Sequence, residues 1–265
     1  MAMRFRNKVV WITGASSGIG EALAYAFARE GAHLILTARR LERLEAVRDA
    51  CTGEGKRLLL PFDVTDYERH PTMVGAAIEH FGQVDILVNN AGVSQRSLVL
   101  ETDFSVDRRI MEVNYFSVVS LTKTVLPYMI ERGGGHIAVV SSLLGKFSTP
   151  LRSAYCASKH ALHGYFDALR AEVYDSNIHI TLICPGFVRT EVSLHALRGD
   201  GQEHGQMDET TANGMPAEVC ARHILNALHK RKEEVSIARY EKIALYLKRF
   251  TPGLFSKLIR KAKVA

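Results

Sequence analysis

Short runs of continuously apolar residues alternate along the chain with stretches whose apolar positions recur at helical spacing. Val9-Val10-Trp11-Ile12-Thr13 ends at a glycine turn. From Glu21 to Glu30, Leu23, Ala26 and Phe27 fall on one face, and Gly31 stops that helix. A second strand reads Leu34 to Thr37, followed by a helix through Leu41, Leu44 and Val47. Further strands are expected over Leu58 to Phe62, Val84 to Val88, His136 to Ser141, Ile178 to Cys184 and Val235 to Ile237. None of these runs alternates polar with apolar, so both faces of each strand are buried, as in a parallel sheet covered by helices. The pattern predicts an α/β fold with a single domain over residues 1–265. Its core is a doubly wound parallel sheet of about seven strands with helices on both faces. Right-handed crossovers then gather the C-terminal strand ends, and any ligand, along one edge.

Two stretches break the rhythm. Residues 193–216 are rich in Gly, Asp, Glu, His and Gln and read either as a substrate lid or as a disordered surface insertion. Residues 239–265 form two basic amphipathic helices separated by Thr251-Pro252-Gly253. Tyr240, Ile243, Ala244, Leu247 and Phe250 make the first apolar stripe, with Leu245 outside it. Leu254, Phe255, Leu258, Ile259 and Ala262 make the second, opposite Lys257, Arg260, Lys261 and Lys263. Such helices either pack on the domain, roof the substrate pocket, meet a partner subunit or lie on an anionic membrane surface.

Composition sharpens this picture in three places. The net charge of +6 is uneven: residues 230–265 hold eleven Lys/Arg against three Glu, and the rest of the chain is slightly acidic. The basicity therefore belongs to the tail, and no nucleic-acid-binding face is expected. No apolar run is long enough to span a bilayer, and no cleavable leader is read at the N-terminus. Cys51, Cys156, Cys184 and Cys220 lie far apart without C-x-x-C spacing, so neither a metal site nor a disulfide framework is expected. A reducing, cytoplasmic location fits, with peripheral membrane contact through the tail as a further option.

Thr13-Gly14-Ala15-Ser16-Ser17-Gly18-Ile19-Gly20 joins the first strand to the first helix. Glycines there let the backbone approach a pyrophosphate, while the helix start offers free N–H groups and the positive dipole end. Gly14, Ser16, Ser17, Gly18, Ile19 and Gly20 are thus candidate dinucleotide contacts in a strand–turn–helix setting. The same residues match the G-x-S-x-G elbow of hydrolases, but that elbow follows several strands, and only thirteen residues precede Gly14. NAD binders place an acid about 20 residues past the first glycine. This chain has Thr37-Ala38-Arg39-Arg40 there and no acid between Gly31 and Leu41. A guanidinium clamps a 2′-phosphate that a carboxylate would repel, so Arg39 predicts NADP(H), with Ser16 adding a hydroxyl. Asp63 and Val64 end the third strand near the expected adenine. Asn90, Ala91 and Gly92 end the fourth, where small residues allow close passage; Asn90 alone also reads as an ordinary turn residue.

Tyr155 and Lys159 share a helix face at i and i+4 near the start of a helix running to about Tyr174. A phenol is a poor base at neutral pH unless a neighbouring ammonium stabilises its anion. So helped, Tyr155 exchanges a proton with a substrate oxygen, and Ser142, at the end of the fifth strand, holds the same oxygen. Alone, Tyr-x-x-x-Lys is a common accident; here it follows a dinucleotide turn and a strand-end serine in order.

Together, Thr13-Gly14 to Gly20, Asn89-Asn90-Ala91-Gly92, Ser142, Tyr155 to Lys159 and Pro185-Gly186 resemble the motif set of classical short-chain dehydrogenases/reductases over roughly residues 7–190. The resemblance implies a Rossmann-type fold and Asn114 as a fourth catalytic residue, holding a water in a relay to the lysine. It further implies that Lys159 binds the nicotinamide ribose, that Pro185, Gly186, Val188 and Thr190 flank the nicotinamide, and that the chain forms a homodimer or homotetramer. From the residues alone, Asn114 reads equally as a satisfied polar residue inside a helix and Thr190 as a cap.

The expected function is interconversion of a carbonyl and a primary or secondary alcohol on a small molecule. Residues 92–98, 143–150 and 187–216 are expected to form the pocket, and Leu143, Leu144, Phe147 and Phe187 hint at a lipid-, steroid- or acyl-like substrate. Two alternatives remain: a non-catalytic NADP(H)-sensing or membrane-surface protein, against which the intact Ser142, Tyr155 and Lys159 argue, and a sugar-nucleotide epimerase, for which the chain is short.

Overall fold

The computed structural model describes residues 3–261. Seven parallel strands form its central sheet in the order β3-β2-β1-β4-β5-β6-β9. They are β1 (Val9–Thr13), β2 (His33–Thr37), β3 (Arg57–Leu59), β4 (Ile86–Asn89), β5 (Gly135–Val140), β6 (Ile178–Pro185) and β9 (Glu234–Ile237). A separate two-residue pair, β7 (Val188–Arg189) with β8 (Met215–Pro216), lies beyond β6. The expected boundaries shift by one or two residues at most strands. The exception is the third, which pairs formally only over Arg57–Leu59, while Leu60 and Phe62 N–H still donate to the Leu36 and Ala38 carbonyls. As an edge strand β3 is half-buried throughout, unlike its neighbours.

Alternate residues of each inner strand feed two cores, because successive side chains point to opposite faces. Val10, Ile12, Leu34 and Leu36 pack with Leu23 and Phe27 of α1 (Gly18–Arg29), Leu44 of α2 (Leu41–Ala50) and Ile224 of α8 (Ala217–His229). Val9, Trp11, Ile35 and Leu87 face Val74 of α3 (His70–Phe81), Leu121 and Val125 of α5 (Ser117–Glu131) and Phe166 of α6 (Ser153–Glu172). Continuous apolarity along the strands thus reflects two buried faces. Trp11, fully enclosed, donates its indole N–H to Thr37 Oγ1 at 2.9 Å and so leaves no orphaned donor.

From β1 the chain winds outward to β3, then returns to add β4, β5, β6 and β9 on the other side. The loops after β1 and β4 therefore diverge, which opens a crevice at the C-terminal ends of adjacent strands. Between β4 and β5, α4 (Phe104–Met111) runs into α5 through a π-helical turn over Glu112–Phe116.

The 193–216 segment is folded over the crevice and is not a loose insertion. Leu197 bridges both Gln95 and Glu203, α7 (Glu209–Ala212) adds a helical turn, and Ser193, Ala196 and Asp208 are buried. The tail forms α9 (Lys242–Phe250) and α10 (Pro252–Ile259), but its packing corrects the expected stripes. Ala244, Leu245, Leu247, Phe255 and Ile259 face Leu143, Phe147 and Cys184. Tyr240, Ile243, Phe250, Leu254 and Leu258 face solvent, so each stripe is divided between two surroundings. Ala262 and Lys263 lie outside the described residues.

Candidate active site

A trough of about 930 Å³ follows the C-terminal edge of the sheet. At one end lies the β1–α1 turn. Gly14 adopts φ +64°, and a Cβ there would come within 2.9 Å of Ala91 Cα. A Cβ on Gly20 would lie 2.1 Å from the Gly14 carbonyl oxygen, so only glycine closes this turn. Gly18 begins α1 and Ser17, extended, makes no side-chain cap, which leaves the first-turn N–H groups for a phosphate. Ser16, Ser17, Gly18 and Ile19 line the trough.

Asn90 has more work than an isolated turn residue. Its Nδ2 donates to the Thr13 and Gly14 carbonyls at 3.0 and 3.2 Å, while Thr13 Oγ1 accepts the Asn90 and Ala91 N–H groups. These bonds fasten the end of β4 to the end of β1. Arg39 and Arg40 line the trough from the end of β2 and are exposed. Asp63 and Val64 line it beyond β3. Burial pushes the Asp63 carboxyl up, but the Thr65 N–H and hydroxyl and the Arg109 guanidinium outweigh that and hold it below the usual range. Arg109 comes from α4, which also contributes Ser105 and Val106 to the lining. The sequence reading did not assign any of the three.

The other end carries the reactive side chains. Ser142 leaves β5 in extended conformation and accepts the Leu144 N–H at 3.1 Å. Tyr155 and Lys159 stand in the first two turns of α6, and both line the trough with Ser142. Burial holds the Tyr155 phenol above its ordinary pKa, against the hydrogen bond with Ser142 and the cations of Arg152 and Arg96. Lys159 Nζ lies 5.7 Å from the Tyr155 ring centroid and donates to the Val140 carbonyl at 2.8 Å. Burial lowers its pKa to about 8. The sequence reading made the lysine charge the leading influence on the phenol; burial leads instead.

Asn114 is fully buried in the π-helical turn. Its Oδ1 accepts the Val93 N–H at 2.8 Å, and its Nδ2 donates to the Val93 carbonyl and to Ser158 Oγ. It therefore ties the loop after β4 to α6 and sets Gly92 beside Lys159: a Cβ on Gly92 would lie 3.6 Å from the lysine nitrogen. Such π-helical turns recur at functional sites because the extra residue re-aims a side chain. Pro185 ends β6, Gly186 follows it, Val188 begins β7, and Thr190 closes over the glycine turn, where a Gly18 Cβ would meet its methyl at 3.0 Å. The Thr190 hydroxyl accepts the Val192 N–H at 3.4 Å, a local turn and not a helix cap.

Three supports have no signal in local sequence. Gln95, fully buried, accepts the Ala154 N–H at 2.9 Å and the Tyr155 N–H at 3.4 Å, and so caps α6 from a distant loop. Arg96 and Arg152, buried, both bond the buried Asp208 carboxylate, joining the two walls beside Tyr155 to the 193–216 segment. Leu151, before Arg152, takes φ +65°, a conformation uncommon for leucine. Behind Ser142, Ser141 Oγ bonds His163 Nε2 at 3.1 Å. Burial and Lys146 lower His163 to about 4, and burial pushes the adjacent Cys184 thiol up to about 12. His163, Cys184 and Glu234 converge there, and the Lys146 ammonium pairs with Glu234.

The pocket departs from expectation at its apolar wall. Residues 143–150 do not line the trough: Leu143 and Phe147 are buried beneath the tail, and Phe187 lines a smaller cavity with Tyr240 and Glu241. The apolar contacts near Tyr155 come from Val93, Val106 and Leu197, packed around Ala154.

A switch-point crevice with a glycine turn at one end and a serine, tyrosine and lysine at the other defines a nicotinamide-dinucleotide oxidoreductase fold. The profile of the short chain dehydrogenase family matches residues 8–199, and the chain belongs to that family. It is 43% identical over 273 residues to a dehydrogenase/reductase SDR family protein 7-like of Drosophila melanogaster, covering 99% of this chain and 84% of that protein. It is 45% identical to dehydrogenase/reductase SDR family member 7B of Bos taurus, covering 96% of this chain and 81% of that protein. Among solved structures, a short-chain dehydrogenase from Streptomyces avermitilis superposes with a TM-score of 0.83 at 30% identity, over 97% of this chain and 98% of that one. A Burkholderia phymatum short chain dehydrogenase/reductase in complex with NAD shares the fold at a TM-score of 0.83 and 24% identity, over 95% of this chain and 96% of that one.

Proposed function

We propose that the chain is an NADP(H)-dependent oxidoreductase that interconverts a small-molecule carbonyl with a primary or secondary alcohol. The observation that carries this reading is Ser142, Tyr155 and Lys159 gathered at one end of a trough whose other end presents Arg39 in place of an acid. The trough fits a dinucleotide: its glycine turn admits no side chain, its volume is ample, and first-turn N–H groups face it. Gly14, Ser16, Ser17, Gly18, Ile19 and Gly20 would hold the pyrophosphate, and Arg39 would pair with the 2′-phosphate. Asp63 and Val64 would flank the adenine, Asn90, Ala91 and Gly92 the adjacent ribose, and Pro185, Gly186, Val188 and Thr190 the nicotinamide.

Bound there, the dinucleotide supplies or accepts the hydride. In the reducing direction Ser142 Oγ and Tyr155 Oη bond the substrate oxygen, and the Tyr155 O–H proton passes to it. A phenol held above its ordinary pKa by burial is protonated at neutral pH, which suits the acid role. Lys159 positions the ribose and, with Asn114, supports return of the proton from solvent. Val93, Val106 and Leu197 favour an apolar substrate portion. Exposed Phe116 in the π-helical turn and exposed Tyr128 and Ile130 in α5 are apolar residues that a homodimer or homotetramer would cover.

The test is cofactor absorbance with NADPH, and separately NADH, against apolar ketones, aldehydes and β-ketoacyl thioesters. NADPH-dependent turnover of any member is expected. Tight NADPH binding with no turnover across the panel would favour a binding-only role.

A further inference from the structure

The tail presents an apolar surface that the domain leaves uncovered. Tyr240, Ile243, Tyr246, Phe250, Leu254 and Leu258 are between 50% and 75% exposed. On α9, Ile243, Tyr246 and Phe250 stand at i, i+3 and i+7 and so form one stripe. On α10, Leu254 and Leu258 are one turn apart. The inner faces of both helices cover one shared patch of Leu143, Phe147 and Cys184, so the outer stripes look the same way. Glu241 clamps the start of this unit to the domain, accepting the Arg239 N–H at 2.9 Å and the Phe187 N–H at 3.4 Å. The exposed residues are therefore carried on a fixed base.

Charge decides what this surface fits. Lys242 and Arg249, seven apart, flank the α9 stripe on one side. Lys257 and Lys261 stand one turn from Leu254 and Leu258, respectively, and Arg260 adjoins them. Residues 230–265 hold eleven Lys/Arg against three Glu. A second copy would bring like charges together, and an apolar core rimmed by cations on one plane matches acyl chains beneath anionic headgroups. Nine- and eight-residue helices are far too short to span a bilayer, and no helix among the described residues is long and apolar enough to do so.

We propose that α9 and α10 form a peripheral docking surface for an anionic lipid bilayer, lying flat with Ile243, Tyr246, Phe250, Leu254 and Leu258 in the interface. Lys242, Arg249, Lys257 and Lys261 then lie at headgroup level. The base of the surface is joined to the loop after β6, so the bilayer sits beside the nicotinamide end of the trough. This inference does not depend on the cofactor or on turnover.

The test is flotation of the full chain with vesicles of phosphatidylcholine alone or mixed with phosphatidylserine, at low and high salt. Binding to the mixed vesicles, weakened by salt, is expected. Lys257→Gln with Lys261→Gln should lower partitioning roughly 25-fold, at about 1 kcal/mol for each cation near the surface. Ile243→Ser with Phe250→Ser should lower it roughly 100-fold or more through lost apolar burial. An unchanged far-UV circular dichroism spectrum and melting temperature confirm that each variant is folded. Absence of binding to mixed vesicles, equal binding to both compositions, or partitioning unchanged by both double variants overturns the proposal. So does a loss of self-association in Ile243→Ser/Phe250→Ser, which would make this surface a contact between copies.

Discussion

The two ends of the trough are built by different means. At the dinucleotide end, backbone conformation does the shaping: Gly14 at φ +64°, a Gly20 with no room for a Cβ, and peptide groups fastened by Thr13 and Asn90. At the substrate end, side chains from distant segments do it. Gln95 caps α6, Asn114 ties Val93 to Ser158, and Arg96 and Arg152 meet over Asp208. A backbone-built site admits little variation. One built from side-chain contacts can be re-formed for a new substrate while the dinucleotide end stays as it is.

The comparison is broken most strongly by removing chemistry from one end alone. Tyr155→Phe is expected to lower turnover about 10²–10⁴-fold, the range for loss of a general acid or base, with NADPH affinity unchanged by titration. Retained turnover would take Tyr155 out of the mechanism. Asp208→Ala leaves two buried guanidiniums without their shared carboxylate and should cost about 3–5 kcal/mol in urea denaturation. In the surviving folded fraction substrate KM should rise more than NADPH Kd, and an equal change in both would mean that the two ends are not separable. Arg39→Asp acts at the opposite end and should shift the NADPH/NADH ratio of kcat/KM roughly 10–100-fold toward NADH, the scale of a lost charged hydrogen bond. An unchanged ratio would assign the phosphate to another group.

The smallest effect is on pH. Burial lowers His136 to about 3 and His163 to about 4, against an ordinary value of 6.5. Below pH 6.5 the unfolded chain takes up protons that the folded chain refuses. Stability is therefore fully present above 6.5 and falls as pH drops toward 4. The melting temperature should decline over that interval, and His163→Gln should decline less. Because His136 lies in β5 and His163 in α6, amides of those two elements should lose exchange protection before those of β1 and β2.

Legibility from sequence follows the same division. The strands were readable because each is a short apolar run closed by its own turn, and the glycine turn because its constraint is local. Ser142, Tyr155 and Lys159 were expected together from their order along the chain, and they line one trough. By contrast, Asp208 meets Arg96 across 112 positions, and Gln95 reaches Ala154 across 59, so no window on the chain shows either contact. The trough wall from α4 was missed because Ser105, Val106 and Arg109 look like any helix. The tail misled for a related reason: periodicity places Leu247 and Phe250 on one stripe, but only packing shows that one faces the domain and the other solvent. Phe147 was similarly assigned to the pocket and lies beneath α10 against Phe255.

The Arg96–Asp208–Arg152 junction also bears on the order of assembly. Its members join segments separated by 112 and 56 positions, and chain-closure entropy delays contacts at such separations until an intervening scaffold has shortened the effective loop. The sheet is that scaffold. A refolding chain should therefore form the inner strands of the sheet first and seat the 193–216 segment last.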